Sequence, residues 1–216
     1  AMFSQKLNFD PGERYAYSNF GYCLLGRVIE KLTGQRYDDY VKENVLAPIG
    51  VTTMKIGASR LAGRSENEVR YYRPGTGKSV FQVDLDQEVP WPYGGWNLEA
   101  MDSHGAWIAS AVDLAKFAAA FDDPDNCPLL SRESIELMHG RPPGLAGHED
   151  DGSEKDVFYS LGWSNRTVGD GKINHWHTGS LSGTSAIMIR RHDGRNFVAL
   201  LNSRVSPSAS HLGKAI

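Results

Sequence analysis

"KINHWHTGSLSGTSAIMIRRHDGRNFVALLNS", residues 172–203, decides the fold class. Apolar and polar residues alternate through it, and Asp193-Gly194 is the two-residue turn that joins antiparallel strands. The pattern predicts strands over 172–177, 184–191 and 195–202, with an earlier one over 157–163, "VFYSLGW". These four are expected to pair antiparallel. Ile187, Ile189, Val198 and Leu200 belong on buried faces, and Asp193-Gly194 stays exposed.

Upstream of residue 155 the period changes to that of helices. From Ser18 to Leu32, Leu24, Leu25, Val28, Ile29 and Leu32 recur at three- and four-residue spacing, and Gly34 stops the run. A second helix spans about Tyr37 to Leu46, ending before Pro48 and Gly50. Ser110 with Asp113 three residues later starts a helix that runs to Phe121, and Ser131 and Gly140 bracket another. Residues 51–105, rich in Gly, Pro and aromatics, read as irregular and as a wall of a binding site. The end of the chain, "SASHLGKAI", reads as a helix just beginning. The order predicts an α+β fold, an antiparallel sheet with packed helices, in a single, incomplete domain over 1–216.

Composition narrows the function. A net charge of −3 with no basic cluster argues against nucleic acid as a partner. No apolar run reaches the roughly 18 residues of a membrane span. Two cysteines, Cys23 within the first helix stripe and Cys127 in a loop, make no disulfide framework. Neither a metal nor another cofactor is expected. His175 and His177, two apart on one strand face, have no third ligand at a recognisable spacing.

Several motifs miss their pattern by one residue. "PGTGKS" lacks the first glycine of a phosphate-binding loop, since Tyr72 stands there. "GSLSG", 179–183, puts Leu181 where a nucleophile elbow needs serine. Two short stretches remain: Tyr17-Ser18-Asn19 entering a helix, and His177-Thr178-Gly179. Each has an ordinary structural explanation, a helix cap for the first and a polar turn for the second.

Taken with their surroundings they say more. "PGERYAYSNFGYCLLGRVIEKLTG" resembles the segment around the Tyr-x-Asn motif of the serine hydrolase family that holds class C β-lactamases, D-alanyl-D-alanine carboxypeptidases and esterases. "GAWIASAVDLAKFAAAF", "YSLGW" and "HWHTGSLSGTSAIMIRRHDGRNFVALLNS" resemble later parts of that family in the same order, with His-Thr-Gly where many members carry Lys-Thr-Gly. The resemblance implies a partial β-lactamase/transpeptidase-like fold. It implies that Tyr17 is a catalytic base, that Asn19 orients the substrate, and that His177 stands in the third motif. Thr178 and Gly179 would contact the substrate, and Ser180 would lend its backbone N–H to the oxyanion hole. The family's nucleophile is the serine of Ser-x-x-Lys, and no serine here is followed three positions later by lysine; Ser4 comes near, with Lys6 one place early.

Acyl transfer by serine needs a base, a leaving-group donor and an oxyanion hole. A tyrosine base needs neighbouring positive charge, which the family takes from two lysines. The first is absent here and the second is His177, of a residue type largely neutral at pH 7. The expectation is the C-terminal part of a hydrolase acting on an amide or ester (β-lactam, peptidoglycan peptide or simple ester), itself inactive. The alternative is a non-catalytic ligand-binding module. A small-molecule or peptide substrate, self-association through the incomplete sheet, and a place outside the cytoplasm complete what the resemblance implies.

Overall fold

The computed structural model describes residues 4–204. The helix expected in 208–216 lies outside them. Helix α1, Asn19–Thr33, begins where Ser18 in extended conformation accepts a hydrogen bond from the Gly21 N–H, and ends at Gly34 in the left-handed region. A short helix α2, Tyr37–Val41, runs into a π-helical turn, Lys42–Leu46, and a 3-10 turn at Ala47–Ile49. The stretch expected as one helix thus changes pitch midway, tightening as it meets Pro48.

Residues 51–105 are more ordered than their composition suggests. Strand β1, Lys55–Ile56, pairs antiparallel with β4, Trp107–Ile108, and β2, Thr76–Lys78, pairs with β3, Glu88–Pro90. A segment of this length meets its backbone hydrogen-bonding needs with two small ribbons and single helical turns. Helices α3, Ala111–Ala119, and α4, Arg132–His139, start at the expected serines. At α3 the box is complete: Ser110 accepts from the Asp113 N–H, and the Asp113 carboxylate accepts from the Ser110 N–H.

The main sheet has five antiparallel strands in order β5 (Val157–Tyr159), β6 (Ser164–Thr167), β7 (Ile173–Leu181), β8 (Thr184–Arg190) and β9 (Asn196–Leu201). The single strand expected over 157–163 is therefore half a hairpin. Gly162, at φ 88°, turns the chain back, and the Ser160 N–H donates to the Trp163 carbonyl. Nor does β7 stop at residue 177. It continues to Leu181, so His177-Thr178-Gly179 lies within a strand and not in a turn.

The turn at Asp193-Gly194 is exposed as expected, with Gly194 at φ 75°. Ile187 is buried at 4% exposure, and Ile189 and Val198 are half-buried. Leu200 is the exception, 38% exposed, because β9 is an edge strand of the sheet. Helix α3 lies across β8 and β9. Beneath it Phe121, Ile135 and Trp163 form the core cluster, with Phe117, Met138 and Met188 packed against them.

Candidate functional site

Two elements bring the site together. The segment entering α1 carries Tyr17 and Asn19. Strand β7 carries His177, Thr178, Gly179 and Ser180. At the helix mouth the Tyr17 hydroxyl donates to Asn19 Oδ1 at 2.9 Å, with Tyr17 60% exposed. The hydroxyl of Ser18, between them, is occupied in capping the helix.

On β7 the decisive feature is a difference in strand length. β6 pairs with β7 only from Ile173 to Trp176, while β8 pairs with it from His175 to Leu181. From His177 onward, one edge of β7 has no strand partner among the described residues. Thr178, Gly179 and Ser180 are exposed there. Alternate residues of such a segment present N–H and C=O groups to whatever lies alongside, as a strand edge does when it accepts an extended ligand.

Tyr159, on β5, links the two halves. Its hydroxyl lies 3.2 Å from His177 Nε2. Its ring stacks at 4.9 Å on Tyr15, two residues before Tyr17, and its hydroxyl is hydrogen-bonded to Tyr22 of α1. Four phenols, Tyr15, Tyr17, Tyr22 and Tyr159, thus gather beside one imidazole, close enough for Tyr17 to act electrostatically on the other three. No direct bond joins Tyr17 to His177; the connection passes through Tyr159. Sequence reasoning missed Tyr159 and Tyr22. The signal for Tyr159 was its place in "YSLGW", and for Tyr22 its place one turn beyond Ser18 on the same helix.

The electrostatics are those of a neutral site. Burial holds the His177 ring below the ordinary histidine range, opposed by its hydrogen bond to the Thr178 backbone. Burial raises the Tyr159 phenol, and the neighbouring phenols add to that. Beside the site a cavity of about 320 Å³ opens between α3 and the sheet, lined by Leu114, Phe117, Trp163, His177, Gly179 and Met188. Its walls are largely apolar.

His175 does not share the site. Its Nδ1 bonds to Asn165 Oδ1 at 2.7 Å, and its ring stacks on His139 at 4.0 Å, under Arg190. Among the described residues no group of three or more His, Cys, Asp or Glu is placed to hold a metal ion. No helix there is long and apolar enough to cross a membrane.

Comparison with known proteins agrees with this architecture. A penicillin-binding protein of Bacillus subtilis (strain 168) is 26% identical over 204 residues, covering 91% of this chain and 41% of that protein. The octameric penicillin-binding protein homologue from Pyrococcus abyssi superposes with a TM-score of 0.65 at 26% identity, covering 90% of this chain and 40% of that one. A penicillin binding protein from Bacillus halodurans has the same fold, with a TM-score of 0.69 at 19% identity over 98% of this chain and 58% of its own. The chain therefore spans about two-fifths of the curated relative and of the Pyrococcus abyssi homologue. A family model described as Beta-lactamase matches residues 1–216 from end to end, and the chain belongs to that family.

Proposed function

We propose that this chain is the C-terminal, substrate-binding part of a serine hydrolase that cleaves an amide or ester through an acyl-serine, with the nucleophile borne by a segment outside these 216 residues. The observation that carries the reading is the open edge of β7 at His177–Leu181, joined through Tyr159 to the mouth of α1. An extended acyl group lying along that edge would meet backbone donors, Ser180 N–H among them, with the phenol of Tyr17 and the amide of Asn19 nearby. The absence of a Ser-x-x-Lys sequence and the two-fifths coverage of relatives support the division of the site.

In this reading Tyr17 is the base, Asn19 and Thr178 orient the substrate, Gly179 allows close approach, and Ser180 N–H is half of an oxyanion hole. His177 replaces a cation with a neutral ring. Loss of a nucleophile from a catalytic triad leaves an acceleration of about 10³–10⁴ over water, from binding and the oxyanion hole. With half of that hole missing as well, the chain alone is expected to be silent.

The test is hydrolysis of nitrocefin and of p-nitrophenyl acetate by the purified chain, alone and with an added Ser-x-x-Lys-bearing segment from the same family. The expected result is a buffer rate alone and turnover on addition, lost again in Tyr17→Phe. Clear turnover by the chain alone would overturn the division. Saturable substrate binding with no turnover in either mixture would favour a ligand-binding module instead.

A further inference from the structure

The segment 51–105 crosses the end of the main sheet. Tyr72 lies beside the end of β9, its N–H donating to the Asn202 carbonyl. Tyr71 and Pro92 close on the hairpin tip between β7 and β8, so tightly that a Cβ on Gly183 would stand 3.0 and 2.8 Å from them. Arg73 arrives at Ser182, the residue that follows the last of β7. The path thus runs from β9 across to β7, and Arg73 stands where the open edge of β7 ends.

Arg73 is held there without being neutralised. Its Nη1 donates to the hydroxyl of Ser182 at 3.2 Å, and Ser182 is itself only 8% exposed. Its guanidinium lies 5.5 Å from the centre of the Trp91 ring. Arg60, Arg141 and Arg190 each face an acid, Asp84, Glu154 and Asp122 respectively. Arg73 is exposed and forms no ion pair among the described residues. A guanidinium carries five N–H donors in a planar fork that matches a carboxylate. Here one donor is spent on Ser182 and an indole steadies the plane, so the cation is oriented but unpaired.

We infer that Arg73 is an anion subsite for the ligand that lies along β7, and that the acyl group taken by this site carries a carboxylate at its far end. The inference rests on the reading proposed above, in which the acyl carbon sits at the Ser180 N–H. Ser182 is two residues further on, so about 7 Å separates the two anchors along an extended strand. A dicarboxylic acyl chain of adipyl length spans that gap, and a succinyl chain falls short. His177 and Tyr159, at the other end of the edge, stay neutral. Arg73 is therefore the cation that orients such a ligand.

The test is an NMR titration of the full ¹⁵N-labelled chain with two unreactive amides of equal chain length, adipamate and hexanamide. Adipamate should shift the Gly179 and Ser180 amides and the Arg73 Nε–H, the last assigned from the peak lost in Arg73→Gln. It should bind about tenfold tighter than hexanamide, the gain expected of hydrogen bonds to a charged group. Arg73→Gln, which keeps a donor for Ser182, should bring the two amides to equal affinity. Succinamate should gain little over butanamide. Equal binding of adipamate and hexanamide by the unsubstituted chain would overturn the inference, and so would a preference that survives Arg73→Gln. No saturable binding of adipamate would overturn it as well. None of these outcomes bears on whether the chain is part of a hydrolase, because the amides need no nucleophile and the turnover experiment decides that separately.

Discussion

Lowering the pH from 7.5 to 5 should destabilise this protein through two histidines that the sheet and α4 bury against each other. His139 and His175 stack at 4.0 Å, with Arg190 Nη1 3.5 Å from His139 Nε2. Burial, and then the nearby positive groups, push His139 down to about 3 and His175 down to about 4. Unfolded, both rings titrate near about 6.5. The unfolded chain therefore binds more protons than the folded one below that value, and stability falls as pH falls from about 6.5 towards the folded values. At pH 5 each ring has lost about 2 kcal/mol, taking about 1.4 kcal/mol per pKa unit over the 1.5 units covered. The pair together loses about 2–4 kcal/mol, the upper figure applying to independent titration. Burial of His177 adds a term of the same sign, while the lowered carboxylates act chiefly below this window. Urea unfolding at half-unit pH steps, with the m-value checked for constancy, measures the slope. The double variant His139→Gln/His175→Gln should be flatter by most of that amount. A stability that is level from pH 7.5 to 5, or a slope the double variant leaves intact, would refute the argument.

Trp163→Ala should cost about 3–5 kcal/mol by urea denaturation, since the indole is 5% exposed and packs edge-on against Phe121 and His139. Gly183→Ala should cost about 2 kcal/mol or more. The residue sits at φ 88°, and a Cβ there would lie 2.8 Å from Pro92 Cγ and 3.0 Å from Tyr71 Cβ; a neutral outcome would mean that the loop around Pro92 yields freely. The edge strand β9 exposes Phe197, Leu200 and Leu201, so the chain should self-associate with concentration in sedimentation velocity, and Phe197→Lys/Leu201→Lys should reduce that. A chain that stays monomeric at high concentration would contradict this.

Much of the fold was legible because its signals are local. Ser18, Ser110 and Ser131 cap helices as their spacing implies, and Asp193-Gly194 turns the last hairpin. The β5–β6 hairpin was hidden because "VFYSLGWS" has strand-forming residues on both sides of the turn, and a lone glycine inside such a run signals either a bulge or a reversal. Leu200 reads as a core residue by alternation, but alternation says nothing about whether its strand has a neighbour on both sides. The candidate site was legible only in its separate motifs. Tyr159 is one tyrosine among nine in the sequence. Its importance comes from its hydroxyl reaching both His177 and Tyr22, a contact that strand register does not announce, since the pairing sets Tyr159 against Ser164 and Ser164 against Trp176. The pairing of His175 with Asn165, by contrast, follows from the β6–β7 register, in which the two residues are direct partners.

The most direct test of the divided acyl-serine site is intact-mass analysis after incubation with a penicillin and, separately, a fluorophosphonate. The account predicts no adduct on the chain alone. With the added Ser-x-x-Lys segment it predicts one adduct, on that segment's serine, and none when Tyr17→Phe and Asn19→Ala are introduced together. A stoichiometric adduct on any serine of the 216 residues, with Ser18, Ser103 and Ser180 the first to map, would contradict it.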